Sequence, residues 1–306
     1  MAASPNLRAA LFMFLAMAVF TCGDAISKSL SPEMNAGQIM FVRGIFATLF
    51  VGLLAWRQGA LRNPRRALNR LVLLRSLFEI GGTSLFLVAL AYMPIANISA
   101  VLQSLPLAVT MGAALALREP VGWRRWIAIA IGFAGVIVIV RPGVEGFSVY
   151  SLLALLSVAF CAARDLATRR IPPEIPSLLV STVTAAFVTA FGSLMIAPLG
   201  GWVPLTAGTT TALAGAALLL IPGMVLLILA MRTGDVAFVA PFRYTALLTA
   251  IVLGIVVFQE WPDAAMLAGA GIVIASGLYS LYRETILGRQ RPISETSASA
   301  MAPDGT

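Results

Sequence analysis

Long apolar segments follow one another along almost the whole chain, and no other feature limits its fold as strongly. A membrane-spanning helix needs about 20 consecutive apolar residues, and ten segments of that order are separated only by short connections. Because a helix satisfies its backbone hydrogen bonds internally, it is the form that such segments take in lipid. The sequence therefore predicts an all-α membrane protein whose ten transmembrane helices lie at about 7–26, 37–56, 71–91, 95–117, 126–141, 149–168, 176–198, 209–231, 235–258 and 264–282.

The small share of charged residues excludes a soluble fold. Charged residues make up 11% of the chain, against about 25% in soluble domains, and the mean hydropathy is +0.94. The net charge of +8 does not indicate nucleic-acid binding, because the arginines lie beside apolar segments, where they fix membrane topology.

The positions of the arginines predict the orientation of the chain. Clusters within 57–70 and 118–125 fall in connections on one side of the membrane, whereas the connections on the other side hold only Arg141. Cytoplasmic connections carry the positive excess. We therefore expect both termini to be cytoplasmic.

The residues that metal sites and common catalytic centres need are absent from the sequence or isolated. The chain has no histidine, and each of its two cysteines, Cys22 and Cys161, lies inside an apolar segment. The sequence also lacks a nucleophile elbow, a phosphate-binding glycine loop and a pair of catalytic acids. We expect no metal, no cofactor and no enzymatic activity.

An internal repeat is indicated by charged residues that recur at one spacing. An offset of 141 residues relates three pairs: Asp24 with Asp165, Lys28 with Arg169, and Glu119 with Glu260. Five spans per half place the second half in the opposite orientation, as in transporters built from inverted repeats. The sequence thus predicts two inverted five-helix repeats at 7–141 and 149–284, and a disordered cytoplasmic tail at 285–306.

Charged residues inside the apolar segments are candidates for function. Each costs roughly 2.5–3.5 kcal/mol near the bilayer centre, so such groups face a cavity or a partner. Asp24 and Lys28 lie four residues apart, on one helical face, and can pair there. They form either a charged rim of the transport path or an interfacial pair in which Lys28 extends to the headgroups. Asp165 repeats this arrangement with Arg169.

Span 2 and span 3 contribute further charges. Arg43 lies well inside its segment with no acid three or four positions away, so it needs a partner from another helix or from a solute. Arg75 and Glu79 are four residues apart, which allows either a self-neutralised structural pair or a cavity charge.

Two segments combine a proline with polar residues at membrane depth. Pro241 precedes Phe242, Arg243 and Tyr244, and Pro106 follows Gln103 closely. Proline breaks the hydrogen-bond ladder of a helix, and broken backbone in the membrane is tolerated mainly where it lines a cavity. The helix kinks at Pro106 and Pro241 therefore predict a solute site formed by Arg43, Gln103, Arg243 and Tyr244.

Taken together, these motifs resemble the EamA-type, ten-helix members of the drug/metabolite transporter superfamily. The resemblance covers residues 7–284 and rests on Asp24 to Lys28, Arg43, Leu74 and Arg75, Pro106 through Glu119, Gly132 to Pro142, Asp165, and the run from Ala240 to Tyr244 that leads to Phe258, Glu260, Pro262 and Asp263. It implies an inverted five-plus-five repeat, alternating access around a central cavity, and a bacterial inner-membrane location. It also implies structural roles for Glu119 and Glu260.

The chain is similar to the riboflavin and S-adenosylmethionine uptake members of that superfamily. Charges in or near the membrane are more often positive than negative, which favours a riboflavin-like vitamin unless the acids dominate the binding surface. S-adenosylmethionine uptake and efflux of amino acids or other metabolites remain alternatives, and a solute channel is the alternative of another class. The expected partners are the solute, membrane lipid and a coupling proton or ion at Asp24 or Asp165; a homo-oligomer stays open.

Overall fold

The computed structural model describes residues 5–119, 121–141, 148–233 and 236–286. Within these residues, ten helices are long and apolar enough to cross a membrane. The spans, numbered in chain order, are Pro5–Ser29, Ala36–Arg57, Arg70–Tyr92, Ile95–Ala116, Trp123–Val140, Val149–Arg169, Ser177–Ile196, Ala207–Thr233, Ala240–Phe258 and Ala264–Arg283. The predicted all-α membrane fold is confirmed. The last helix continues to Ile286, and residues 287–306 of the predicted tail lie outside the described residues.

Polar residues in the short connections start several spans. The Asn35 side chain accepts a hydrogen bond from the backbone N–H of Gln38 at 2.9 Å and so begins span 2. Thr206 and Thr209 form a reciprocal capping box at the start of span 8. A short 3₁₀ helix, Pro64–Leu68, lies in the connection before span 3. These caps satisfy N–H groups that a helix start leaves without partners.

Three spans are interrupted helices. Span 4 consists of Ile95–Leu102 and Leu105–Ala116. Span 9 begins with the 3₁₀ helix Ala240–Tyr244, preceded by the short helix Val236–Val239, and continues as Thr245–Phe258. Span 8, which the sequence predicted to be continuous, divides into Ala207–Leu218 and Leu220–Thr233. Each break has a proline in the first turn of the helix that follows it or inside the 3₁₀ segment, where the missing N–H is tolerated.

The spans pack in pairs that take one member from each half of the chain. Span 2 packs on span 7, span 5 on span 10, span 3 on span 6, and span 1 on span 8. Span 6 also packs on span 4, and span 1 on span 9. Exchanging spans 1–5 with spans 6–10 leaves this set of pairs unchanged. Large apolar side chains such as Leu49, Leu194 and Val256 are exposed on the outside, where lipid would cover them.

Spans 5 and 10 approach closely at two glycines. A methyl group added at Gly135 would lie 2.8 Å from the Gly269 carbonyl oxygen, and one added at Gly269 would lie 2.6 Å from that of Gly135. Both distances are too short for any side chain, because the obstacle is backbone. Small residues are the usual means of such close helix contact in membranes.

Gly269→Val is expected to destabilise the protein, because the added side chain forces spans 5 and 10 apart. Overpacking costs about 1–3 kcal/mol, and a lower melting temperature in detergent would report it. Gly271→Val is the matched control on the same span, since nothing lies within 4 Å of that position. Equal melting temperatures for the two variants would contradict the close contact.

Candidate functional site

A cavity of about 180 Å³ lies between the two halves. Spans 1, 3, 4, 6, 9 and 10 line it, so each half contributes three spans. Most of the wall is apolar, with Phe20 and Phe86 among its members. The polar lining residues are Thr21, Asp24, Ser99, Gln103, Asp165, Arg243 and Tyr244.

Both interrupted helices that the sequence marked with proline reach this cavity. Gln103 lies at the break of span 4, immediately before the helix that contains Pro106, and both residues line the cavity. Arg243 and Tyr244 lie in the 3₁₀ segment of span 9 and line it too. In a continuous helix the backbone polar groups are bonded to one another, so only side chains can contact a solute. At a break some backbone groups are released and can also face the cavity.

The Tyr244 hydroxyl is buried and, within the part of the chain that the structure describes, has no hydrogen-bond partner. It lies against Gly277 of span 10, where any side chain would collide with it. A buried hydroxyl with no partner costs about 1–3 kcal/mol of desolvation. A solute that hydrogen-bonds to this hydroxyl would recover that cost.

Asp24 does not pair with Lys28, which corrects the interaction expected from their spacing. Its carboxylate lies 3.6 Å from the Arg43 guanidinium of span 2, and Arg43 also donates to the Ser27 hydroxyl at 3.0 Å. Arg43 therefore has the partner from another helix that the sequence required. Asp24 lines the cavity, whereas Arg43 does not and lies behind it.

Lys28 is buried and is held by the opposite half of the chain. Its ammonium lies 3.0 Å from the Glu260 carboxylate, donates to the carbonyls of Leu90 and Met93, and lies 5.3 Å from the centre of the Phe258 ring. It neither pairs along its own helix nor extends to the headgroups. The reason is packing, since span 1 packs on span 9 and also contacts span 3, whose end supplies the carbonyls.

Asp165 belongs to a larger charge network. Arg164 contacts the carboxylate of Asp165 at 2.8 Å and that of Glu79 at 3.2 Å, and so joins span 6 to span 3. Glu79 also lies 3.7 Å from Arg75, the pair that the i,i+4 spacing predicted. None of Arg75, Glu79 and Arg164 lines the cavity.

Arg75 is fixed by hydroxyl groups as well as by Glu79. It donates to Thr168 at 3.0 Å and to Thr184 at 2.6 Å, on spans 6 and 7. Only 7% of Arg75 is exposed. These contacts give it a structural role behind the Asp165 wall of the cavity.

Arg243 and Asp165 are the charged lining residues of the second half. Both residues line the cavity, one from span 9 and the other from span 6, and they attract each other electrostatically. Asp24 contributes the second carboxylate of the lining. The charged lining therefore holds two carboxylates and one guanidinium, with Arg43 and Arg164 behind the carboxylates.

Sequence reasoning missed the partners of the terminal charges. The resemblance implied structural roles for Glu119 and Glu260 but no partners; in the structure Glu260 lies 3.0 Å from Lys28, and Glu119 lies 2.7 Å from Arg169. The 141-residue offset contained the signal, since it relates Lys28 to Arg169 and Glu119 to Glu260. Arg164 is next to Asp165 in the sequence, but nothing local to span 6 indicates its contact with Glu79.

Comparison with known proteins identifies the kind of protein. Residues 7–141 match the EamA-like transporter family. The S-adenosylmethionine uptake transporter of Rickettsia bellii is 25% identical over 281 residues, covering 89% of this chain and 93% of its own. The riboflavin transporter of Vibrio cholerae is 29% identical over 288 residues, covering 91% and 94%. The pseudopaline exporter of Pseudomonas aeruginosa is 26% identical over 274 residues, covering 87% and 93%.

One solved crystal structure shares the fold. It is 18% identical to this chain, superposes with a TM-score of 0.61, and covers 92% of this chain and 99% of its own. The names of the family and of the relatives are those of transporters rather than enzymes. The resemblance in the sequence motifs is confirmed: the first half of this multi-pass membrane protein matches the EamA-like transporter family, and most of the chain is similar to transporters of small metabolites.

Proposed function

We propose that the chain is a secondary carrier that moves one small organic solute at a time through the central cavity by alternating access. The observation that carries this proposal is the cavity itself, which takes three spans from each half and its polar groups from two broken helices. Discontinuous helices that meet near the midplane are the usual binding site of carriers built from repeats.

The two proposed repeats, 7–141 and 149–284, supply the moving parts. An odd number of spans in each inverts one half relative to the other, and the span pairing described above is unchanged when the halves are exchanged. In such a fold, the state whose cavity opens on one face of the membrane and the state whose cavity opens on the other face have similar packing and therefore similar energies. We propose that both termini are cytoplasmic and that the membrane is a bacterial inner membrane.

The charged groups of the cavity lining favour a solute that carries both a cationic and an anionic group. The positive balance counted from the sequence included Lys28, Arg43 and Arg75, and none of these lines the cavity. The lining instead offers the guanidinium of Arg243 and two carboxylates, Asp24 and Asp165, each of which has an arginine behind it. S-adenosylmethionine carries a sulfonium, an ammonium and a carboxylate, so it matches both signs of charge.

Riboflavin is the second candidate, and the wall of the cavity favours it. Phe20, Phe86 and Tyr244 offer aromatic surface to a flat ring, and Gln103 offers a donor and an acceptor to a polar ring edge. The relatives at 25–29% identity include uptake carriers of both solutes and one exporter. We propose uptake, with Asp24 or Asp165 as the carboxylate at which a proton or ion couples.

Counterflow in vesicles tests the proposal directly. Purified protein in liposomes preloaded with unlabelled S-adenosylmethionine is expected to accumulate the labelled compound transiently, because a carrier exchanges solute across the membrane. Riboflavin loading in parallel decides between the two solutes. Passage of solute without counterflow would indicate a channel and overturn the carrier mechanism.

A further inference from the structure

Two ion pairs join the halves at the ends of spans that line the cavity. Lys28, near the end of span 1, lies 3.0 Å from Glu260, in the connection between spans 9 and 10. Arg169, at the end of span 6, lies 2.7 Å from Glu119, in the connection between spans 4 and 5. In each pair the cation belongs to one half and the carboxylate to the other.

The pairs are equivalent under exchange of the halves. The same 141-residue offset that relates Lys28 to Arg169 relates Glu119 to Glu260, so one contact occurs twice in the molecule. Successive spans run in opposite directions across the membrane. The end of an odd-numbered span and the end of an even-numbered span therefore lie on opposite faces, and each face has one pair.

Each pair connects spans that line the cavity. Span 1 and span 9 both contribute lining residues, and the Lys28–Glu260 pair holds their ends together. Glu260 also accepts a hydrogen bond from the backbone N–H of Ile95 at 2.9 Å, the first residue of span 4. The Arg169–Glu119 pair likewise holds together the ends of spans 6 and 4, which both line the cavity.

We propose that these pairs are the two closures of the transport cavity and that they open alternately. The Lys28–Glu260 pair separates when the cavity opens at the end of span 1, and the Arg169–Glu119 pair separates when it opens at the end of span 6. This inference rests on the alternating access of the proposed function. Both pairs are formed in the structure, which accords with a cavity of about 180 Å³, below the roughly 300–1,000 Å³ of typical small-molecule sites.

A closure and a merely structural pair differ in one measurable respect. Removing a structural contact weakens the fold without favouring either face of the membrane. Removing one of two opposed closures shifts the population toward the state that is open on that face, because a ligand or substitution moves an equilibrium only by its differential effect on the two states. The equivalent substitution in the other pair must then shift the population the other way.

The test measures access to the cavity from each face. Ser99, which lines the cavity, is replaced by cysteine in a chain that also carries Cys22→Ala and Cys161→Ala, since these are its only cysteines. A membrane-impermeant thiol reagent is then applied to right-side-out and to inside-out vesicles. Glu260→Gln and Glu119→Gln are compared in this background.

Opposite shifts are the expected result. Glu260→Gln raises the labelling rate from the face at the end of span 1, and Glu119→Gln raises it from the other face, each by at least about fivefold. Asp263→Asn removes the exposed Arg141–Asp263 pair at 2.5 Å between spans 5 and 10 and leaves both rates unchanged.

Several outcomes would overturn the proposal. They are equal rates in the two glutamine variants, a rise on the same face in both, or a shift in Asp263→Asn as large as that in Glu260→Gln. If a glutamine variant does not accumulate, Lys28→Met and Arg169→Met repeat the comparison from the cation side. Labelling requires no solute, so its failure is distinguishable from failure of the counterflow experiment.

Discussion

Arg243→Ala is expected to reduce solute transport by about 10- to 100-fold, the loss that follows when a charged hydrogen-bond donor is removed from a buried site. Arg243 lines the cavity from the 3₁₀ segment of span 9, and Asp165 lines it from span 6. The backbone is already interrupted there, so truncating the side chain removes the cation without breaking a continuous helix. The solute loses the only guanidinium of the cavity lining within the described part of the chain.

The measurement is initial uptake into vesicles with equal amounts of inserted protein. Arg65→Ala serves as the control, because Arg65 is an exposed cation in the connection before span 3. Arg243→Lys retains the charge but not the fork of donors and should retain part of the activity. Normal uptake by Arg243→Ala would remove Arg243 from the solute site.

Asp24→Asn is expected both to abolish transport and to destabilise the protein. The substitution leaves the Arg43 guanidinium, 17% exposed, without the carboxylate that lies 3.6 Å from it. Breaking a fully buried ion pair by removing one partner costs about 3–5 kcal/mol, and the cost here is smaller because the pair is half-buried and Arg43 keeps the Ser27 hydroxyl. The membrane surroundings leave few other ways to solvate that charge.

The double variant Asp24→Asn/Arg43→Gln separates the two effects. It removes both charges together, so the melting temperature in detergent should return most of the way to that of the unmodified chain. Transport should stay lost, because the carboxylate at the cavity is still missing. Recovery of transport in the double variant would show that Asp24 serves only to neutralise Arg43.

Much of the candidate site followed from residue types and local spacing. Gln103, Pro106, Arg243 and Tyr244 were selected because polar residues beside a membrane proline indicate a broken helix, and the structure places all four at one cavity. Asp165 was selected as a charge inside an apolar segment and lies there as well. The same reasoning predicted that Arg43 lines the cavity. In the structure Arg43 is not a lining residue, but it contacts the lining residue Asp24.

Partners across helices were beyond local reasoning. Spacing within a helix shows which residues share a face, so it predicted the Arg75–Glu79 pair correctly. It also predicted Asp24 with Lys28, and there it was wrong, because each has a closer partner on another span: Arg43 for Asp24 and Glu260 for Lys28. The i,i+4 geometry permits a pair, but the packing of spans decides whether a better partner lies within reach.

The sequence by itself determined the ten spans and the offset that relates the halves, because apolar length and repeated charges are properties of the chain read in order. Only the tertiary structure decided that the charges at 28, 119, 169 and 260 form two reciprocal contacts. It also decided that four membrane cations do not line the cavity: Lys28, Arg43, Arg75 and Arg164. The physical reason is that a buried charge is stabilised by whichever opposite charge the packing brings within about 4 Å, whatever its distance along the chain.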